Sequence, residues 1–310
     1  MTDNRDVRYT DRMAKVHVIC GGDSAEREVS LRSGDAVTRA LKEADYKVQL
    51  LDSATATIDE IIDCDVVFPV LHGAGGEDGE LQAELEKHAA KYVGSDPKAS
   101  QLCFDKWQYR QAIEAADLPV AVGALVQAHD YHKHPLAQEY FVLKPLKGGS
   151  SIDTHVVRDP SDIPYDLIAD TFGNYPTMLI EELIIGTELT VGILGQTPLP
   201  VIEIIPPIDG EFDYENKYNG ATQELCPPKH VSKAIQQKAQ ALALKAHKLA
   251  GCRDLSRTDI MVDKSGKLYL LETNTIPGMT DRSLFPKMAA TAGITMPELC
   301  QQLVEMALSR

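Results

Sequence analysis

The sequence has no excess of positive charge: 31 Lys and Arg stand against 46 Asp and Glu, a formal net charge of -15. Partners gripped through a phosphate backbone demand clustered Lys and Arg, so a nucleic-acid partner is excluded while small charged ligands are not. It has no paired cysteines either. Cys20, Cys64, Cys103, Cys226, Cys252 and Cys300 lie far apart, without a Cys-x-x-Cys, which is the usage of reduced thiols in a cytoplasmic protein rather than a disulfide framework. No stretch approaches the ~18 uninterrupted apolar residues of a membrane span, and MTDNRDVRYTDRM lacks the apolar segment and cleavage site of a leader, so no membrane insertion is expected. Residues 1–13 read as a polar extension. Low-complexity blocks and solenoid repeats are also lacking.

What is there is an ordinary globular composition, 44% hydrophobic and 25% charged, in a chain long enough for two or three lobes. KVHVIC, a glycine turn, a helix with Val37, Leu41 and Ala44 on one stripe, YKVQLL and the wholly apolar DVVFPVL predict a doubly wound α/β lobe over 14–95, with strands covered on both faces. Asp96 before Pro97 starts a helical pair. EYFVLKPLKGGSSIDTHVV predicts two strands around a Gly/Ser loop in a second lobe over 96–180. MLIEELIIGTELTVGIL and PLPVIEIIPP predict long strands of a new sheet in a third lobe over 181–310. That lobe carries a helix from Ser232 with Ile235, Ala239, Leu242, Ala246 and Leu249 on one face, stopped at Gly251, and a final helix from Thr295 with a capping box to Glu298.

The chemistry concentrates in CRDLSRTDIMVDKSGKLYLLETNTIPG, two apolar runs joined by the turn Asp263-Lys264-Ser265-Gly266. Residues two apart in a strand share a face, so Arg257 sits beside Asp259 and Glu272 beside Asn274. With Val262 opposite Lys267, Asp259 faces Leu270 and is diagonal to Glu272, which puts two carboxylates within ~8 Å. Close carboxylates call for a cation, and an oxygen-only donor set suits magnesium carrying phosphates. A structural Arg and Glu pair on a solvated face is the alternative; solvated faces do not run Leu, Tyr, Leu, Leu into Glu, Thr, Asn. A register slip of one residue would separate the carboxylates.

LKPLKGGSSI places Lys144 before Gly148, Gly149, Ser150 and Ser151, a composition that can approach phosphates with amides and hydroxyls, although it is not a P-loop. Lys106 supplies a second cation. His72 follows an apolar strand in LHGAGGEDGELQ, where either a ligand or the turn itself could claim it. Glu26 and Glu28 open a helix, which dipole electrostatics alone would explain.

In order along the chain, GGDSAEREVSLRSG, FPVLHGAGGEDGELQ, YVGSDPKASQLCFDK, LKPLKGGSSI, ELTVGILG, YENKYNG, SRTDIMVD and LLETNTIPGMT resemble the D-alanine D-alanine ligase family of the ATP-grasp superfamily. The resemblance implies an ATP-grasp fold with an N-terminal Rossmann-like lobe, a homodimer, and ATP between the second and third lobes. It implies that Lys106 and Lys144 touch the phosphates with Ser150 and Ser151, that Glu181, Glu182 and Ile184 surround the adenine, and that Glu188 takes the ribose. Asp259, Glu272 and Asn274 would bind two magnesium ions, replaceable by manganese. The YENKYNG loop would close over the site, with Lys217 at the γ-phosphate and Tyr218 bonded to Ser150 and Glu26. Glu26 and His72 would receive the first D-alanine, Ser283 and Leu284 the second, and Arg257 with the Gly278 amide would stabilise the oxyanion.

The sequence departs from the family pattern at Asp153 in the glycine loop, at Glu182, and at Asp281 and Arg282 before Ser283. Two further readings follow from these departures: a ligase of the same fold with another amino-acid or hydroxy-acid acceptor, and a nucleotide-binding homologue without ligase activity. By the resemblance, Lys217 and Tyr218 imply an amine acceptor, since family members that use a hydroxy acid generally lack this Lys-Tyr pair.

Overall fold

In the computed structural model the chain is described over residues 14–159, 161, 163–207 and 222–310. The expected extension 1–13 and the YENKYNG loop, with Lys217 and Tyr218, lie outside the described residues.

Strands β1 (Lys15–Cys20), β2 (Lys47–Asp52) and β3 (Val66–Pro69) form a parallel sheet in the order β2-β1-β3. Helix α1 (Arg27–Glu43) packs Val37 and Leu41 against Val16, Val18, Val66 and Phe68. On the other face, α2 (Ile58–Ile62) and α3 (Glu80–Lys87) bring Ile61 and Leu85 against Ile19 and Val67. The unbroken apolar run of β3 is therefore buried on both sides, as doubly wound packing requires. Each such side chain contributes roughly 1.5–3 kcal/mol by leaving water.

Helices α4 (Pro97–Phe104) and α5 (Lys106–Ala115) follow. Asp96 caps α4 by accepting from the Ala99 amide at 2.9 Å. Asp105 caps α5, accepting from Trp107 and Gln108 at 3.1 and 3.0 Å, and so fixes Lys106 as that helix's first residue.

A second, antiparallel sheet has the order β4-β7-β5-β6, from β4 (Gly123–Gln127), β5 (Phe141–Pro145), β6 (His155–Val157) and β7 (Thr177–Glu182). Helix α6 (Tyr165–Asn174) covers it through Ile168 and Phe172. The run beginning at Met178 thus completes this sheet, pairing with both β4 and β5, and does not open the next one. The break falls after Glu182, because only the segment from Gly186 pairs with the third sheet.

That third sheet contains β8 (Gly186–Leu194), β9 (Thr197–Pro198), β10 (Ile202–Ile205), β11 (Gln223–Leu225), β12 (Leu255–Asp263) and β13 (Leu268–Asn274). Its order is β11-β10-β8-β12-β13, with β9 paired to β8. Helix α7 (Lys233–Ala250) starts at the Ser232 cap, ends on left-handed Gly251, and lays Ala239, Leu242 and Ala246 on Leu189, Val191 and Ile193. Leu249, expected on that stripe, is 41% exposed, and Ala250 is buried instead. Helices α8 (Leu284–Thr291) and α9 (Met296–Leu308) take the opposite face, α9 beginning with the Thr295/Glu298 capping box. Leu299, Leu303 and Val304 of α9 join the same core as Val16, Val18 and Phe68 of the first sheet. Arg310 closes this junction with a bond to the Tyr92 carbonyl at 2.7 Å and an ion pair with Asp254.

Candidate active site

The β12–β13 hairpin turns more tightly than its sequence suggests. Asp263 and Lys267 close the turn, the Asp263 amide donating to the Lys267 carbonyl at 3.0 Å, with Gly266 in the left-handed region. Val262 therefore pairs with Leu268, not Lys267. Continued regularly, this register would place Asp259 opposite Leu271 and send Glu272 to the other face. A bulge at Asp259/Ile260 absorbs one residue of β13, so Asp259 stands directly opposite Glu272 and Arg257 opposite Asn274. The expected common face survives through two compensating one-residue shifts, and the carboxylates are closer in register than the diagonal placement implied.

Neither carboxylate is without compensation. Arg257 donates to Asp259 through Nε at 3.0 Å and Nη2 at 2.9 Å, and the Thr190 hydroxyl donates to it at 2.5 Å. Burial weighs against the Arg257 charge, but Asp259 outweighs it and holds the guanidinium more firmly protonated than usual. Lys106 lies 3.8 Å from Glu272 and donates to the Gly148 carbonyl. Its burial lowers its pKa, opposed by Glu272. Asn274 accepts from the Ile276 amide at 2.8 Å. Two carboxylates and an amide oxygen on one face make an oxygen-only set with the chemistry a hard cation requires. Among the described residues no cluster of three or more His, Cys, Asp or Glu is arranged around a metal position.

A second ionic group spans α5 and the second sheet. Glu181, at the end of β7, is buried between Lys144 at 2.5 Å and Arg110 at 3.1 Å. Glu182 is exposed and Ile184 buried in the crossover to β8, where Glu188 lies. Lys144 and Glu181 are thus brought together directly, Lys106 reaches Glu272 of the cavity described next, and Glu182, Ile184 and Glu188 follow along the chain from β7 into β8.

Glu26 is the N-cap of α1, yet its side chain does not cap the helix. Its carboxylate instead accepts from the Ser150 hydroxyl in the glycine loop. Ser150 and Ser151 sit in the left-handed region, φ 54° and 58°, a conformation that costs a non-glycine residue roughly 1 kcal/mol. Asp153 is left-handed too, and its carboxylate accepts from the Tyr175 hydroxyl at 2.8 Å, directed at the α6 end.

A cavity of about 520 Å³ unites Glu26, His72, Gly149, Ser150, Arg257, Glu272, Asn274, Gly278, Ser283 and Leu284. Asp281 and Arg282 line it as well, and Asp281 pairs with Arg39 of α1 at 3.1 Å. His72 contributes its edge, but its ring nitrogens are committed to Ser33 and to the Ile276 carbonyl. Burial, reinforced by Arg257, pulls its pKa down to about 4.

Sequence reasoning missed Glu77, Arg110 and Ser33. Glu77 is buried on the cavity wall, accepts from the Gly73 amide at 2.8 Å, and has its pKa pushed up to about 8 by burial and by Glu26. A carboxyl among glycines in the same turn as His72 was its signal. Arg110 lies one helical turn after Lys106, a spacing that shares a face. Ser33 leaves no trace beyond helical spacing.

The family profile described as D-ala D-ala ligase C-terminus matches residues 113–305, and that described as D-ala D-ala ligase N-terminus matches 50–95. The chain is 41% identical to the D-alanine--D-alanine ligase of Zymomonas mobilis over 95% of this chain and 94% of that protein. It is 42% identical to that of Xanthobacter autotrophicus over 95% of this chain and 99% of the relative. Its structure resembles the crystal structure of the Bacillus anthracis D-alanine--D-alanine ligase with a TM-score of 0.82 at 29% identity, covering 96% of this chain and 98% of that one. A second Bacillus anthracis structure, complexed with ATP, matches equally well, with a TM-score of 0.82 at 28% identity. With a family profile over more than half its length and full-length relatives at about 40% identity, the chain belongs to the D-alanine–D-alanine ligase family.

Proposed function

We propose that the protein joins two D-alanine molecules at the expense of ATP, through a D-alanyl phosphate, and so supplies the dipeptide for peptidoglycan precursors in the cytoplasm. The observation that carries this reading is the convergence of Arg257, Glu272, Asn274 and Gly278 with the Glu26–Ser150 pair in one cavity. ATP would lie at the junction of the second and third sheets, its phosphates reaching Lys106, Lys144, Ser150 and Ser151. Its adenine would lie against Glu181, Glu182 and Ile184, and its ribose against Glu188. The three sheets would then correspond to lobes for the first substrate, for the nucleotide, and for metal and catalysis.

Asp259, Glu272 and Asn274 would hold magnesium, or manganese in its place, which supplies positive charge to the transferring phosphoryl group. Lys106 already faces Glu272 and is placed to add to that charge. Phosphorylation turns the first carboxylate into a good leaving group. Glu26 would receive that first substrate, with His72 on the same cavity wall, and Ser283 and Leu284 would receive the acceptor; all four line the one cavity. Amine attack then places charge on the former carbonyl oxygen, where Arg257 and the Gly278 amide would receive it. Lys217 and Tyr218 would close the site and keep water from the acyl phosphate. Two copies would form a homodimer.

The test is ADP release with D-alanine, ATP and magnesium, read together with product mass. No turnover at any D-alanine concentration would refute the proposal. The Arg39–Asp281 pair beside Ser283 favours one second reading, an altered acceptor, which a panel of amino and hydroxy acids would reveal as a product of different mass.

A further inference from the structure

The turn that carries Gly278 is held at both ends by the first-sheet half of the molecule. On its C-terminal side the Met279 amide donates to Ser33 Oγ at 3.3 Å. On its N-terminal side the Ile276 carbonyl accepts from His72 Nδ1 at 3.1 Å. The two anchors are themselves linked, Ser33 Oγ lying 3.2 Å from His72 Nε2. The Ser24 hydroxyl, donating to the His72 carbonyl at 2.7 Å, fixes the histidine backbone. Ser33 is wholly buried, and His72, Ile276 and Met279 nearly so.

The ends of this chain, with His72 kept neutral by its burial, fix its directions. An amide N–H can only donate and a carbonyl can only accept. Ser33 therefore accepts from Met279 and spends its own proton on His72 Nε2, and His72 must be the neutral Nδ1–H tautomer to reach Ile276. Both ring nitrogens are used, so His72 has none left for a substrate. Gly278 lies between the anchored residues, and a Cβ there would meet Ser283 Oγ at 2.8 Å. The peptide on either side of Gly278 is therefore anchored, and the residue has no room for a side chain toward Ser283.

We propose that Ser33 and His72 are positioning residues that aim the Gly278 amide at the developing oxyanion, rather than residues that bind the first substrate. The inference rests on the reading of Gly278 given above. It divides the reaction in two, because an oxyanion donor acts on amine addition and not on the preceding phosphoryl transfer. Removing such a donor outright costs about 10²–10³ in rate; loosening one of its two anchors is expected to cost about tenfold.

The experiment compares the native protein with Ser33→Ala and Ser33→Thr. Acyl phosphate formation is followed by D-alanine-dependent positional exchange of ¹⁸O in the phosphates of ATP, and addition by dipeptide release. Ser33→Ala should slow dipeptide release about tenfold, with isotope exchange and the KM for ATP unchanged, and Ser33→Thr, which keeps the hydroxyl, should recover most of the loss. Equal falls in both steps, or no fall in either, would overturn the proposal. Nitrogen NMR of the native protein needs no substitution: His72 should be the neutral Nδ1–H tautomer at pH 7, and the Nε2–H tautomer would overturn the proposal equally. Absence of both exchange and dipeptide in the native protein would refute the ligase reading itself, and this inference with it.

Discussion

Thr273 stands between Glu272 and Asn274 but points to the opposite face of β13, where its hydroxyl lies 2.6 Å from Tyr109 Oη and 2.9 Å from Thr258 Oγ1. All three groups are buried. Tyr109→Phe removes one end of the chain and leaves the two threonines bonded to each other, a loss of about 1 kcal/mol. Thr273→Val keeps the shape and removes the middle, stranding two buried hydroxyls, and should cost about 2–3 kcal/mol. In the double variant the Tyr109 hydroxyl is no longer there to strand, so the combined cost should fall short of the sum by about 1 kcal/mol. Urea denaturation at constant slope measures all three. Because the chain ties α5, which begins with Lys106, to the strand bearing Glu272 and Asn274, turnover should fall with stability in Thr273→Val. Strictly additive costs would show that the hydroxyls are not coupled and that this backing is incidental.

Glu272→Gln should fold normally and lose ADP release; a variant with native turnover would contradict the metal assignment. His72 and His247 both have pKa values lowered to about 4, chiefly by burial. Between pH 6.5 and 4 the unfolded chain then binds protons that the native imidazoles refuse, so stability present above pH 6.5 is lost on acidification, by about 3 kcal/mol for each histidine. A denaturation midpoint that stays constant from pH 6.5 to 4.5 would contradict it. Glu77 works in the opposite sense. Its native pKa near 8 makes the folded state bind the extra proton, so stability falls as pH rises from about 4.5 to 8. Glu77→Gln should flatten that decline without unfolding the protein, as circular dichroism melts across the range would show.

The helix caps at Asp96, Ser232 and Thr295, the two-sided burial of β3 and the shared face of the carboxylate hairpin were legible, because each depends on residues close in sequence. The hairpin shows where legibility stops. Its turn is one residue shorter than Asp263–Gly266 implies, and Leu271 looks like any other apolar strand residue, so neither the shift nor the bulge that cancels it has a local signature. Glu26 illustrates a second limit: dipole electrostatics suffices to explain a carboxylate at a helix start, yet this one turns to Ser150, 124 residues away. Likewise Met178–Glu182 reads as the beginning of a long strand region, and only its pairing with β4 and β5 assigns it to the second sheet. Ser33, whose role depends on a residue 246 positions later, lay beyond any pattern reading.

The return of α9 to the first sheet has a consequence for synthesis. Residues 15–70 leave the ribosome well before residues 299–304, but one face of their core is completed only by Leu299, Leu303 and Val304. Until those residues emerge, α1 alone covers the Val16, Val18 and Phe68 face and leaves the rest of that core open, so the segment should reach its native stability late and gain from a chaperone during translation.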